Sequence, residues 1–396
     1  MIGQYFPPDF GGASTRSYNL ARSLIMQNCQ VTVITSFPHY PHGNIPKKYS
    51  GKFIVKEEMD GIKIIRTRIQ KLPHSTSIKR IVLHLTFIFS TLLALQHVKN
   101  IDIIFSMNPN FFAFFPALFY KFIFKKKIIR NIDDLWPEVF YDLGLVKSKF
   151  VKKILNYITR KSYEIPVALI PVSNGYVDTI VKNYKISPEK IHVIEQGVDF
   201  EKISKIQFTP KSRSSSKTIM YSGALNLGYD FKTVLRSAKI LESKSISFII
   251  RGTGEYSTEI KKFILQEKIK NVILDTTLLS NEELLSTLNS ADIFLLPMSS
   301  SKIIDCGLPT KIMEYQALGK PIICISNGEA GRYIEKTKSG LVTKSRDPVK
   351  FANMVMKLID DEKLSDELGK NGLVNVKNSL TLDNIGKRIL SIINNC

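Results

Sequence analysis

The stretch "DCGLPTKIMEYQALGKPIICIS", residues 305–326, holds the residues whose types and spacing best suit binding chemistry. Pro309 and Thr310 read as the start of a helix. Lys311 falls in its first turn, where free backbone N–H groups and a cation can together hold a diphosphate. Glu314 comes three residues later, so its carboxylate shares a face with Lys311 and can accept hydrogen bonds from both hydroxyls of a ribose. The same spacing equally describes an ordinary i,i+3 pair on a helix surface. Three more glycine-bearing stretches follow strand-like runs: "YSGALNLGYDF" (221–231) with Gly223 and Gly228, "RGTGEYSTEI" (251–260) with Arg251, Gly252 and Gly254, and "NGEAGRYIE" (327–335) with Gly328 and Gly331. Glycine lets a backbone approach a phosphate, although a single G-x-G also serves any tight turn. Four such loops opening into one cleft would hold a nucleotide diphosphate mostly by backbone.

The first half offers a different set. In "QYFPPDFGGASTRSYNLARSL" the bare pair Gly11 and Gly12 stands at the mouth of a helical run, which suits an anionic ligand or a plain turn. In "NIDDLWPEVFYDLG", 131–144, Asp133, Asp134 and Glu138 surround the only tryptophan, Trp136, at the end of a strand-like run. The three acids are candidates for proton transfer, and Asp134 reads equally well as a helix cap.

The elements that must position these residues alternate along the chain. Strand-like runs "VTVIT", "IKIIRT", "IDIIFS", "KIIRNID", "VALIPVS" and "IHVIE" (191–195) are separated by stretches with helical spacing, such as 17–26 and 147–162. A polar serine- and lysine-rich stretch, 205–217, reads as a linker. The alternation then resumes with "TIMYSG", "ISFIIRGTG", "VILD", "ADIFLLP", "PIICIS" and "SGLVT". The expectation is an α/β chain of two doubly wound, Rossmann-like parallel-sheet domains, 1–204 and 218–378, with a last helix at 379–396 packing back on the first. Ligands of such sheets bind at the carboxyl ends of the strands.

Composition bounds the partners. The 396 residues carry a net charge of +21, with 27 Lys or Arg against 14 Asp or Glu in residues 1–200. That excess points to an anionic partner. The clusters stand beside aliphatic and aromatic runs and no nucleic-acid-binding motif is visible, so an anionic membrane surface is favoured over nucleic acid. Residues 81–98 are apolar but interrupted by polar groups. Residues 111–130 hold Pro116 and end in the Lys125 to Lys127 cluster. Both read as interfacial or buried helices rather than spans. Cys29, Cys306, Cys324 and Cys396 show neither metal-ligand nor disulfide spacing, which fits a reducing cytoplasm. The start lacks the basic and apolar regions of a secretion leader.

Taken in order, "FPPDFGGASTRSYNLARSL", "DDLWPE", "PVSNGYVDTI", "VIEQGVD", "YSGAL", "GTGE", "LPTKIMEYQALGKPII" and "SGLV" resemble the fourth family of retaining nucleotide-sugar glycosyltransferases, the "glycosyl transferases group 1". They look most like its bacterial fucosamine-transferase-like subgroup, which builds O-antigen and capsule. The resemblance covers nearly the whole chain. It implies the GT-B fold, a donor bound on the C-terminal domain, no cofactor and no metal. It places Gly11 and Gly12 over the donor phosphates, Glu314 on the ribose, Lys311 on the diphosphate, and Asp134 near the transferred sugar on the acceptor side.

Three departures stand out. Cys306 occupies the place of the family's first glutamate, with Asp305 adjacent. Ala224 and Tyr229 stand near the family's Arg and Lys pair, leaving Arg251 or Lys311 to supply charge. The family's chains begin with a few more residues of the first strand, so a truncated or alternative start is expected here. The implied activity is retaining transfer of an N-acetylated or deoxy hexose, from UDP rather than GDP, to a hydroxyl of a polyprenyl-diphosphate-linked glycan. It would take place in surface polysaccharide synthesis at the inner face of the plasma membrane. A non-hydrolysing UDP-sugar 2-epimerase and a catalytically degenerate partner subunit are the rival readings.

Overall fold

Runs rich in β-branched and aromatic residues form the strands, and the stretches between them form helices. The computed structural model describes residues 1–40, 43–70, 77–107, 113–204 and 216–396. The chain divides into two units, Met1–Gly197 with Leu382–Cys396, and Val198–Thr381.

In chain order the first unit comprises α1 (Gly12–Ile25), β1 (Thr32–Ser36), β2 (Ile54–Met59), β3 (Ile62–Thr67), α2 (Ser77–Leu93), β4 (Ile103–Ser106), α3 (Phe114–Phe124), β5 (Lys127–Ile132), α4 (Glu138–Asp142), α5 (Lys149–Glu164), β6 (Ala168–Pro171) and α6 (Gly175–Tyr184). The strands run β2–β3–β1 and β4–β5–β6, and Ile2 bridges both Ile34 and Ser106, so the N-terminal segment joins the two sets. All pairings are parallel except β2 with β3. The crossovers through α2, α3 and α5 step in one direction along this order, so right-handed connection puts all three helices on the same face. The chain's last helix, Leu382–Asn394, belongs to this unit and packs on α1.

One expectation is corrected, and one strand is new. "IHVIE" does not form a strand; only Ile191 makes a bridge, to Leu169. The edge strand β2 was not anticipated, because "IVKEEM" has too little apolar alternation for a signal. Pro116 sits in the first turn of α3, where its missing N–H would have had no helical partner. Phe111 and Phe112 lie outside the described residues. Among those described, no helix is long and apolar enough to cross a membrane.

The second unit opens with α7 (Phe200–Ser204) and continues with β7 (Lys217–Ser222), α8 (Phe231–Ile240), β8 (Ile246–Arg251), α9 (Ser257–Gln266), β9 (Val272–Asp275), α10 (Asn281–Asn289), β10 (Ile293–Pro297), α11 (Lys311–Ala317), β11 (Ile322–Ile325), α12 (Glu329–Lys336), β12 (Gly340–Thr343), α13 (Pro348–Asp360) and α14 (Glu362–Asn375). All six strand-like runs of this half become strands of one parallel sheet, ordered β12–β11–β10–β7–β8–β9. Strands buried on both faces explain why "IFLLP" and "IICI" read as unbroken apolar runs. The winding direction reverses between β7 and β10. Of the stretch expected as a linker, 205–215 lie outside the described residues, and Lys217 opens β7.

In the first unit the loop before α1 is pinned by a buried carboxylate. Asp9 Oδ1 accepts the amides of His39 (2.7 Å) and Tyr40 (2.8 Å). Burial raises Asp9 to about 6 and lowers His39 to about 4. A histidine whose folded pKa is depressed contributes stability above its unfolded value near 6.5, and that contribution is lost as pH falls towards 4. Urea melts between pH 7 and 4 should therefore show the native chain losing up to about 3 kcal/mol more than His39→Gln, Asp9's opposite trend being common to both. Parallel pH profiles would show that His39 is not buried neutral.

Candidate functional site

The residues expected to bind a diphosphate gather where the winding of the second unit's sheet reverses, which is where open α/β sheets place ligands. The loop after β7 meets the loop after β10 through a bridge between Tyr229 and Met298. Lys311 leads α11 and lies across Gly223. A Cβ on Gly223 would stand 2.0 Å from Lys311 Cε, so the lysine can occupy this course only because residue 223 has no side chain. Lys311 Nζ donates to the Tyr229 hydroxyl at 2.9 Å and stands 4.8 and 5.6 Å from the Tyr229 and Tyr221 ring centroids. Aromatic surroundings of this kind hold an ammonium without neutralising it.

Glu314 follows one turn on and is partly exposed. Burial raises its carboxyl above the ordinary value, and the Lys311 charge works against that rise. Tyr315 fastens α11 to the end of β7. Its hydroxyl accepts the Ser222 amide and donates to the Ser222 carbonyl, both at 3.0 Å, and its ring stacks on Phe294 at 3.9 Å.

Three other expected contributors do different work. Arg251 is buried, ion-paired with Asp275 and donating to the Thr277 carbonyl at 2.7 Å, so its charge is spent inside the unit. A Cβ on Gly252 would lie 1.8 Å from Gly223 O, and one on Gly254 would lie 2.1 Å from Leu225 O. These two glycines admit a neighbouring backbone. The Gly223, Leu225 and Gly252 amides already donate to the carbonyls of Arg251 (2.9 Å), Thr253 (2.9 Å) and Asp275 (2.8 Å). At α11, Thr310 stands at the N-cap without a side-chain cap, and the Ile312, Met313 and Glu314 amides bond back to Pro309 and Thr310. The site's positive charge thus comes from Lys311.

Beside it, past the ends of β10 and β11, Asn327 Nδ2 donates to Ser300 Oγ (3.0 Å) and Ser300 to Asp305 Oδ2 (3.3 Å). Asp305 stands next to Cys306 in a short 3₁₀ turn, Ile304–Cys306. Tyr221, Ser300 and Asn327 went unnamed in sequence reading, and Tyr229 stood there only as a departure from the family's pattern, because no spacing marks residues that meet only through the fold.

The first unit gathers its own polar centre. Arg16 of α1 is 2 % exposed and was not anticipated. Its Nη2 donates to Asn131 Oδ1 (3.1 Å) and the Ile194 carbonyl (2.7 Å), its Nη1 donates to the Glu195 carbonyl (2.6 Å), and it pairs with Asp133 at 3.5 Å. Burial pushes Asp133 up to about 7, with Arg16 and Asn131 opposing the rise. Burial also raises Asp134, with the Trp136 indole nearby working the other way. Asp134 is not a helix cap, since α4 begins at Glu138 with Pro137 before it. Glu138 is not a free acid either. It is buried and accepts the Tyr184 hydroxyl. Trp136 is partly exposed and packs edge-on against Phe140 at 4.3 Å. Gly11, at φ 98°, and Gly12 are exposed at the head of α1.

This fold is GT-B. Over 100 % of the chain it matches a sucrose-phosphate synthase from Thermosynechococcus elongatus, covering 97 % of that chain at a TM-score of 0.77 and 15 % identity. Two family models match end to end, "Glycosyltransferase Family 4" over residues 10–202 and "Glycosyl transferases group 1" over residues 202–374. The two matches adjoin, one over each half of the chain, and both describe glycosyltransferases. A putative colanic acid biosynthesis glycosyltransferase of Salmonella typhimurium is 24 % identical over 182 residues, 45 % of this chain and 44 % of that protein. The UDP-Gal:alpha-D-GlcNAc-diphosphoundecaprenol alpha-1,3-galactosyltransferase of Escherichia coli is 26 % identical over 261 residues, 61 % of this chain and 63 % of that protein. The chain spans about half the length of the curated relatives it matches.

The loop contacts rank two substitutions. In Gly252→Ala the methyl meets backbone and should cost about 3 kcal/mol or more. In Gly223→Ala it meets a flexible lysine, and the left-handed-side φ should cost about 1 kcal/mol. Thermal melts giving equal losses would show that the loops do not touch in this way.

Proposed function

We propose that the protein is a retaining, metal-independent glycosyltransferase of the fucosamine-transferase-like subgroup. It moves a hexose, N-acetylated or deoxy, from a UDP-sugar to a hydroxyl of a polyprenyl-diphosphate-linked glycan, in the synthesis of a surface polysaccharide. The observation that carries the reading is Lys311, held across Gly223 at the sheet's reversal with Glu314 one turn on. A cation fixed there opposes the charge that develops on a departing diphosphate, and a carboxylate one turn away suits ribose hydroxyls. The E. coli relative's name specifies a UDP-sugar donor, a diphosphoundecaprenol-linked acceptor and an α linkage, which supports the same classes here.

In the proposed reaction Lys311 stabilises the leaving diphosphate, whose oxygen takes the acceptor proton as the new bond forms on the same face of the sugar. No carboxylate nucleophile is required. Gly11 and Gly12 give backbone to the donor phosphates. Asp134, with Asp133, Trp136 and Glu138 around it, forms the acceptor side. The enzyme works in the cytoplasm, peripherally on the inner face of the plasma membrane, where a lipid-linked acceptor resides.

Thermal melts with UDP, GDP and ADP test the donor site. UDP at a hundred-fold excess over its Kd should stabilise the protein by about 2.7 kcal/mol. Glu314→Ala and Lys311→Met should each lose most of that gain while melting normally without ligand. No response to any nucleotide would remove the assignment. A β-configured product, read by NMR, would remove retention.

A further inference from the structure

The three helices that share one face of the first unit's sheet each leave an apolar stripe uncovered. On α2, Leu83 and Phe87 are buried, while Val82, Leu85, Phe89 and Leu93 on the opposite side are exposed, Phe89 to 67 %. On α3, Phe114, Ala117 and Tyr120 turn inward and Phe115, Phe119 and Phe122 outward, Phe122 to 70 %. On α5, Thr159, Ser162 and Tyr163 are buried, and Phe150, Ile154 and Tyr157 face out, Phe150 to 72 %. Each outward set repeats every three or four residues and so lies along one side of its helix.

The stripes are neighbours. The Tyr120 hydroxyl of α3 donates to the Thr91 carbonyl of α2 at 2.9 Å. The buried Arg130 guanidinium stands 5.0 Å from the Phe114 ring of α3 and 5.9 Å from the Tyr163 ring of α5. Scattered exposed apolar residues are ordinary, but three adjoining stripes on one face are not.

Charge selects the occupant. From residue 77 to residue 131 the sole acid is Asp102, and α3 ends in Lys125, Lys126 and Lys127. Helix α5 carries Lys149, Lys152, Lys153, Arg160 and Lys161 against Glu164 alone. A second copy of this chain would bring the same positive charge and be repelled, whereas acidic headgroups would be attracted.

We propose that the α2–α3–α5 face docks the protein on an anionic phospholipid leaflet. The aromatic and aliphatic stripes enter the interface, and the lysines of α3 and α5 pair with headgroups. This rests on the membrane reading above and adds the surface, including α5, which lies outside the segments that the sequence singled out.

The test is co-sedimentation of the full chain with vesicles of phosphatidylglycerol and phosphatidylcholine, or of phosphatidylcholine alone. The native protein should partition about tenfold better onto the anionic vesicles and lose that preference in high salt. Phe89→Glu with Phe122→Glu, and separately Phe150→Glu with Lys153→Glu, should each reduce binding about tenfold. Each variant should keep the native melting temperature and the UDP response, so a failure of docking is distinguishable from a failure of the donor site. Variants that bind like the native protein would overturn the face. Native protein indifferent to vesicles would overturn both the face and the membrane reading. A dimer that the Phe89 and Phe122 changes dissociate, without vesicle binding, would assign the face to a second copy and overturn the proposal.

Discussion

The candidate donor site depends on bare backbone meeting bare backbone. The loop after β8 lies so close to the loop after β7 that Gly252 and Gly254 have no room for a Cβ, and the amides between them are consumed in that contact. This fixes Gly223, and Gly223 in turn leaves the course along which Lys311 runs. Any side chain at these positions would separate the loops and move the ammonium with them. Asp275 is engaged by Arg251, and Lys311 stands among tyrosine rings. A cation already in place would lower the reorganisation that opposes binding an anion there.

In the first unit a single guanidinium has the corresponding role. Arg16 reaches from α1 to the end of β5 and to the carbonyls of Ile194 and Glu195, and its donors satisfy groups that would otherwise be buried unpaired. Truncating it would strand Asp133 and Asn131 together, which costs more than the loss of one surface pair. The acids of the "DDLWPE" stretch are therefore unequal. Asp133 is tied to Arg16, Glu138 to Tyr184, and Asp134 stands beside the Trp136 indole.

Much of the fold was legible because its information is local. The second unit's strands announce themselves as apolar runs, three of them ending in glycine loops, and every one formed. Lys311 and Glu314 share a face because three residues separate them on a helix, and that helix exists. What was not legible depends on contacts distant in sequence. Arg16 meets partners 115 and 178 residues away, and nothing around it marks it as different from Arg22. Likewise "RGTG" shows a cation and two bare positions, but only the fold reveals that Asp275 takes the cation and a neighbouring loop takes the space. "IHVIE" has strand composition, and its His192 and Ile194 amides donate to the Leu169 and Pro171 carbonyls of β6, but Arg16 takes the Ile194 and Glu195 carbonyls, and composition alone cannot report that.

The last helix, Leu382–Asn394, belongs to the unit that the chain begins, so the first unit is interrupted by the whole of the second. During synthesis the second unit's sequence leaves the ribosome complete while α1 still lacks its partner. Leu382, Ile385 and Ile389, all buried in the finished protein, arrive last to cover that side. The two helices meet closely enough that a Cβ on Gly386 would stand 2.2 Å from Ser23 O. A nascent chain can therefore hold the whole of the second unit before the last helix seals the first.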